Sequence, residues 1–161
     1  MNPTEFENIY QDNYPKVIRL CLSYVNGDRS QAEDLAQDVF IKVWKNLGGF
    51  RNQSSLSTWI YRITVNTCLM NIRKKRKQKR SDNLPLHLES PSDNYSKDRE
   101  LQFSQLYSCI DKLSESNKTI ILLELEGLPQ KEIAEIVGIK HEAVRVRLHR
   151  IKNELTKCVK Q

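Results

Sequence analysis

Apolar residues recur along the chain at spacings of three and four, and strict apolar/polar alternation is nearly absent. That period is helical, so helices are expected throughout. Phe6, Ile9 and Tyr10 begin a stripe that resumes beyond Pro15 with Val17, Ile18, Cys21, Leu22 and Val25. Proline suits the first turn of a helix better than its middle, so a kink or break is expected at Pro15. Asn26-Gly27-Asp28 closes this element. Ser30 with Glu33 has capping-box spacing. The helix it opens would turn Leu35, Val39, Phe40, Val43, Trp44 and Leu47 inward until Gly48-Gly49 stops it. After the polar loop 51–57, a third helix would bury Leu56, Trp59, Ile60, Ile63 and Leu69 or Ile72.

Periodicity lapses over 79–98, where Pro85 and Pro91 stand among several serines, as in a mobile linker. It resumes from Leu101 to Leu113. Ser114, three residues ahead of Asn117, opens a further helix that reaches Glu126. Gly127 suits the left-handed residue after that helix, and Pro129 the first turn of the next. The chain thus reads as all-α: two small helical domains, 1–78 and 99–161, joined by a flexible linker, 79–98. Each is near the size at which one core only just suffices.

Residues 129–152 read PQKEIAEIVGIKHEAVRVRLHRIK. Ile133, Ala134 and Val137 form a short apolar face, with Gly138 as the turn residue and Ile139 buried beside it. Val144, Leu148 and Ile151 make the inner stripe of a second helix. A small Ala134 permits close helix crossing, and Gly138 supplies the tight turn of a helix-turn-helix. His141, Glu142, Arg145, His149 and Arg150 then face outward. Arginine is the side chain best suited to guanine edges, so this face fits a DNA major groove. The competing reading is an ordinary helical hairpin with a basic face.

Composition narrows the class. With 39% hydrophobic and 29% charged residues in 161, the chain can fold, which excludes wholesale disorder. No apolar run reaches membrane-spanning length, and the first ten residues are acidic and amphipathic, unlike a signal peptide. A soluble, cytoplasmic protein is expected. Net charge is +6 and uneven. Residues 73–80, RKKRKQKR, hold seven basic side chains in eight positions, and without them the chain is close to neutral. A second excess lies at 140–160, where seven Lys/Arg face two Glu. Two basic clusters flanking an acidic stretch suggest two contacts with a polyanion; a solvated helix end is the alternative for the first. The four cysteines, Cys21, Cys68, Cys109 and Cys158, are spread far apart with no metal-ligand spacing, and read as small core residues kept reduced.

The segments DLAQDVFIKVWKNL (34–47), STWIYRITVNTCLMNIRKK (57–75) and GLPQKEIAEIVGIKHEAVRVRLHRIKNEL (127–155) together resemble a bacterial RNA polymerase sigma factor. The likeness is to the two-domain extracytoplasmic-function (ECF) group of the sigma-70 family, and it extends over essentially the whole chain. It implies that Asp34, Gln37, Asp38 and Phe40, with Ile41 and Trp44 nearby, bind the clamp helices of the largest subunit of the polymerase core. Asp34, Gln37, Asp38 and Ile41 do share one helical face, offering carboxylates to a basic surface. The resemblance further implies that the loop Asn52, Gln53, Ser54, Ser55, Leu56 and Ser57 receives a flipped base of the promoter −10 element. Lys42 and Asn66 would contact the same strand, and Arg62, Arg73, Lys74 and Arg76 its phosphates. An amide such as Asn66 can read a Watson–Crick edge, whereas Trp59 reads as packing rather than base stacking. In the second domain, Arg145, Val146, His149 and Arg150 would face −35 bases, with Lys140 and Arg147 as phosphate or structural contacts and His141 at the start of the same helix. Lys140, Ala143 and Met70 depart from residues common in relatives.

The resemblance implies promoter-directed initiation with polymerase core and promoter DNA as partners, and an anti-sigma factor to restrain the chain. No cofactor or metal is expected, and no direct membrane insertion. The alternative is a helix-turn-helix regulator whose first domain senses a ligand or partner, although the polar Asp/Gln face and basic end do not suit such a sensor. A nuclease would need a carboxylate cluster or an activated nucleophile. His87, His141 and His149 form no such constellation, so enzymatic activity is not expected.

Overall fold

The computed structural model describes residues 3–82 and 97–160. Its described residues form seven α-helices and one short 3-10 turn, and no strand among them. Two compact units divide the chain, Met1–Glu89 and Ser90–Gln161. The central part of the expected linker, 83–96, lies outside the described residues.

In the first unit, α1 (Pro3–Tyr24), α2 (Arg29–Asn46) and α3 (Leu56–Asp82) pack against one another, with a 3-10 turn at Leu47–Gly49. The core is built from Val17, Leu20 and Cys21 of α1, Leu35, Val39 and Val43 of α2, and Ile60, Val65 and Cys68 of α3. Helix α1 runs unbroken through Pro15, against the expected kink. The proline is exposed, and the buried stripe Asn13, Val17, Leu20, Cys21, Tyr24 passes on another side of the helix. Packing of that stripe offsets the missing backbone donor, a loss of about 3 kcal/mol in an isolated helix. The side chain of Asn13 adds a bond in the same stretch, donating from Nδ2 to the Ile9 carbonyl at 2.8 Å.

Asn26 and Gly27 both take positive φ, 56° and 83°, and end α1 abruptly. That leaves Asp28, not Ser30, to cap α2. Its carboxylate accepts from the Gln31 backbone N–H at 3.2 Å and from Gln31 Nε2 at 2.7 Å. Asp28 is therefore the N-cap, while Glu33 accepts from Arg29 Nε at 3.2 Å instead of closing a capping box with Ser30. An anion at the helix N-terminus gains from the orphan N–H groups and the helix dipole. Those hydrogen bonds from Gln31 hold the Asp28 carboxyl below the usual aspartate range.

The inner face of α3 differs from the apolar count. Thr58, Ile60, Tyr61, Thr64, Val65, Thr67 and Cys68 are buried, whereas Trp59, Ile63, Leu69 and Ile72 are half-buried. Threonine can occupy the core because its hydroxyl is satisfied within the helix: Thr64 donates to the Ile60 carbonyl at 2.8 Å and Thr67 to the Ile63 carbonyl at 2.7 Å. Helix α3 also continues past residue 78 to Asp82, since Lys, Arg and Gln are good helix formers.

The second unit holds α4 (Lys97–Asp111), α5 (Glu115–Leu125), α6 (Gln130–Val137) and α7 (His141–Lys160). Ser114 caps α5 through the Asn117 N–H, and Gly127 follows it at φ 83°. Ile110, Ile120, Leu122, Leu123, Ile133, Val144, Leu148 and Ile151 fill the core. The face of α6 is Ile133, Ala134 and Ile136; Val137 and Ile139, expected inside, are half-buried. Two cysteine expectations divide. Cys21 and Cys68 are buried core residues of the first unit, but Cys109 and Cys158 form a disulfide joining α4 to the end of α7. Distance in sequence concealed this pair, because α4 and α7 are neighbours only in the folded unit.

Candidate functional site

Three surfaces carry the sequence-derived residues. The first is the outer face of α2. Asp34, Gln37 and Asp38 are exposed along it, followed by Ile41 at 45% and Trp44 at 47% exposure. Trp44, expected in the core, instead stands at the surface against the edge of Phe6, with ring centroids 4.9 Å apart. Phe40 is the reverse case. It is only 4% exposed, packed on Tyr10 and Tyr14 at centroid distances of 4.7 and 6.2 Å, so it supports this face from beneath rather than offering itself to a partner.

Between α1 and α2 these rings line an open groove of about 580 Å³, with Asp34 and Gln37 on its rim. Burial, with Tyr10 and Glu33 adding, pushes the Tyr14 phenol up, so it remains a neutral donor at ordinary pH. Sequence reasoning assigned no role here to α1. Its signal was the spacing of Phe6, Tyr10 and Tyr14, successive positions four apart on one helical face. Carboxylates beside exposed apolar rings suit a basic, amphipathic helical partner.

The second surface combines the loop before α3 with α3 itself. Asn52 takes φ 56°, which its short polar side chain tolerates, and Asn52 and Gln53 are exposed. Ser54, Leu56 and Ser57 are half-buried. Ser55 is committed to the start of the helix: its Oγ accepts from the Thr58 backbone N–H at 3.1 Å and donates to Thr58 Oγ1 at 2.8 Å. A recess of about 470 Å³ opens here, with Ile9, Leu47, Phe50, Asn52, Ser54 and Leu56 among its walls. Phe50 and Trp59 pack at a centroid distance of 5.0 Å, and Tyr61 is buried, so these rings serve packing.

Further along, Lys42 Nζ on α2 donates to Thr67 Oγ1 at 3.1 Å, and Thr67 donates on to the Ile63 carbonyl. Asn66, the neighbour of Thr67 on α3, is exposed. Arg73, Lys74 and Arg76 are exposed beyond it, and Arg62 is half-buried. The loop before α3, α3 itself and the facing Lys42 of α2 thus carry a recess, an amide, a pinned ammonium and a run of cations.

The third surface belongs to the second unit. Gly138 takes φ 80° and its N–H returns to the Ala134 carbonyl at 2.8 Å, giving the tight turn between α6 and α7. Val144, Leu148 and Ile151 point inward, while Lys140, His141, Arg145, Val146, His149 and Arg150 are exposed. Arg147 is half-buried, and its Nη1 donates to Ser116 Oγ on α5 at 2.9 Å, which gives it a structural part. Lys152 similarly reaches Glu124 of α5 at 3.2 Å. The exposed set is thereby held on a helix braced from behind. Among the described residues, no group of His, Cys, Asp or Glu could hold a metal ion, and no helix is long and apolar enough to cross a membrane.

Residues 9–78 match the Sigma-70 region 2 family and residues 103–155 the Sigma-70, region 4 family. The chain is 30% identical to the ECF RNA polymerase sigma factor SigW of Bacillus subtilis (strain 168), over 93% of this chain and 84% of that protein. It is 32% identical to the ECF RNA polymerase sigma-E factor of Haemophilus influenzae, over 84% of this chain and 77% of the relative. Among solved structures it is similar to the sigma factor RpoE in complex with the anti-sigma factor NepR from Bartonella quintana, with a TM-score of 0.75 and 22% identity. That match covers 97% of each chain. A TM-score of 0.74 at 20% identity relates it to CnrH in complex with the cytosolic domain of CnrY, covering 99% of this chain and 90% of the other. Sigma factors are not catalytic enzymes; the chain belongs to the ECF sigma factors of the sigma-70 family, which direct RNA polymerase in transcription initiation.

Proposed function

We propose a division of labour within this sigma factor. Residues 1–78 bind polymerase core and engage the −10 element, residues 99–161 read the −35 element, and 79–98 join them. Asp34, Gln37 and Asp38, with Ile41 and Trp44, dock on the clamp helices of the largest core subunit, and Phe40 holds that face in shape. The observation that carries this reading is the exposure of an acidic stripe beside two large apolar side chains on one face of α2. A hydrophobic centre with a charged rim is the anatomy of a protein-binding patch.

The recess near Asn52 and Ser54 takes a flipped −10 base. Asn66 and Lys42 contact the same strand, and Arg62, Arg73, Lys74 and Arg76 hold phosphates. On α7, Arg145, Val146, His149 and Arg150 face −35 bases, with His141 and Lys140 at the groove edge. The chain itself carries no catalysis and works in the cytoplasm beside the polymerase. Two similar solved structures are complexes with anti-sigma factors, which supports such a partner here. The test is in vitro transcription with purified core and a promoter library. Promoter-selective transcripts that require this chain support the reading, and none on any promoter would overturn it.

A further inference from the structure

The two cysteine pairs meet very different conditions. Cys21 and Cys68, on α1 and α3, are fully enclosed, with the Cys68 thiol donating to Cys21 Sγ at 3.8 Å and no disulfide between them. Cys109 on α4 and Cys158 in the last turns of α7 are joined, and Cys158 is half-buried rather than enclosed. A soluble reagent can therefore reach Cys158 but neither sulfur of the first pair. The end of α7 also carries Lys157 and Lys160, which favour the approach of an anionic thiol.

We propose that Cys109 and Cys158 are a reversible thiol–disulfide site, exchanging with the glutathione couple and stapling α4 to α7. This rests on the reading that the chain works in the cytoplasm, where thiols are kept reduced and a protein disulfide is usually transient. In the closing direction, the Cys158 thiolate attacks glutathione disulfide, releasing one glutathione thiolate and leaving a mixed disulfide. The Cys109 thiolate then attacks Cys158 Sγ and releases the second. The two cysteines lose two electrons and two protons, and one glutathione disulfide becomes two glutathione molecules. Opening is the reverse, beginning with attack of a glutathione thiolate on Cys158 Sγ.

The consequence is mechanical. The staple spans a sequence separation of 49 and so constrains most of the unfolded second unit. It lies at the opposite end of α7 from Arg145, leaving the outward residues of that helix untouched. Oxidation thus makes the second unit more persistent without altering its DNA-facing chemistry.

The full-length chain, equilibrated across glutathione redox buffers, quenched with acid and alkylated after denaturation, reports the state of each cysteine by mass spectrometry. Cys109 and Cys158 are expected to be protected together as oxidation rises, within one chain, while Cys21 and Cys68 do not change. Hydrogen exchange should slow in α4–α7 but not in α1–α3 on oxidation, and the thermal midpoint of the second unit should rise by about 10 °C. Cys158→Ser, at a half-exposed position, keeps the fold and should exchange like the reduced chain in every buffer. A dithiol in fully oxidised glutathione, a lasting glutathione adduct at Cys158, or a disulfide between two chains would overturn the proposal. So would equal protection of α4–α7 in the two states. None of these readouts involves polymerase or promoter, so the proposed division of labour stands or falls separately.

Discussion

The ammonium of Lys42 is tied to the hydroxyl of Thr67, 3.1 Å away across the α2–α3 interface. Thr67 accepts from the lysine and donates to the Ile63 carbonyl, so both of its roles are filled. A lysine on a four-carbon stem is ordinarily free to wander; here its charge is fixed one residue from Asn66. Thr67→Val keeps the volume and removes the acceptor. Open-complex formation should fall several-fold, about as much as with Lys42→Ala, and the double variant should lose little more. Stability should move by no more than about 1.5 kcal/mol. Fully additive losses would show that Thr67 does not position Lys42.

Charge reversal tests the α2 face. Asp38 is exposed and does not belong to the core, so Asp38→Arg should shift thermal stability by only about 0.5 kcal/mol. Against a basic clamp surface the same change replaces attraction with repulsion. Binding to purified polymerase core, measured by fluorescence anisotropy of labelled chain, should drop at least tenfold. Undiminished affinity would remove Asp38 from the contact.

What the sequence made legible follows from where each physical signal resides. Helical periodicity located every described helix, and the turn at Gly138 with the stripe Val144, Leu148, Ile151 was readable because both are local. The errors arose where tertiary structure decides. Trp44 and Phe40 lie on the same apolar stripe, and only the arrival of α1 settles that Phe40 is covered and Trp44 is not. Thr64 and Thr67 counted as polar although backbone carbonyls satisfy them inside the core. Pro15 counted as a breaker although packing overrides its local cost. The disulfide between Cys109 and Cys158 depends on which helices become neighbours, which no spacing encodes.

The cap of α2 has a pH signature. Hydrogen bonds from Gln31 lower the folded-state pKa of Asp28 below its unfolded value. The stabilisation is therefore complete above the unfolded aspartate range, near pH 4 and higher, and is lost as pH falls through the lower folded value. Asp28→Ala should cost about 1 kcal/mol at pH 7. The difference between wild type and variant should shrink toward zero in acid. Urea denaturation at neutral and acidic pH measures both, and a pH-independent difference would mean that charge plays no part in the cap.

The turn of the helix-turn-helix rests on one backbone conformation. Gly138 has φ 80°, and a Cβ built there meets nothing within 4 Å. Space is thus available and only the left-handed conformation is costly. Gly138→Ala should destabilise the second unit by about 1 kcal/mol, and the β-branched Gly138→Val by more. Chemical denaturation read through hydrogen exchange in α5–α7 separates this from any change in the first unit. An alanine variant as stable as wild type would show that the turn relaxes out of the left-handed region.

Reading a sequence and holding a strand make different demands, and two exposed cations separate them. Arg150 lies on the outward face of α7, whose opposite side is braced by Leu148 and Ile151 in the core, so its guanidinium can be presented to base edges in a fixed register. Lys74 stands in the basic run of α3, where a compact, mobile ammonium suits a phosphate. Losing a base contact should cost about 1–3 kcal/mol on the preferred −35 sequence and much less on a promoter altered at that base. Losing a phosphate contact should weaken all promoters alike and flatten the log-affinity against log-salt slope by about 0.9. The comparison of Arg150→Ala with Lys74→Ala belongs on assembled holoenzyme, over matched and altered −35 duplexes at several salt concentrations. Contacts made by the polymerase itself then cancel between variants, leaving only the change at one side chain. If Arg150→Ala lowers every promoter equally while Lys74→Ala changes the −35 preference, the two roles are reversed.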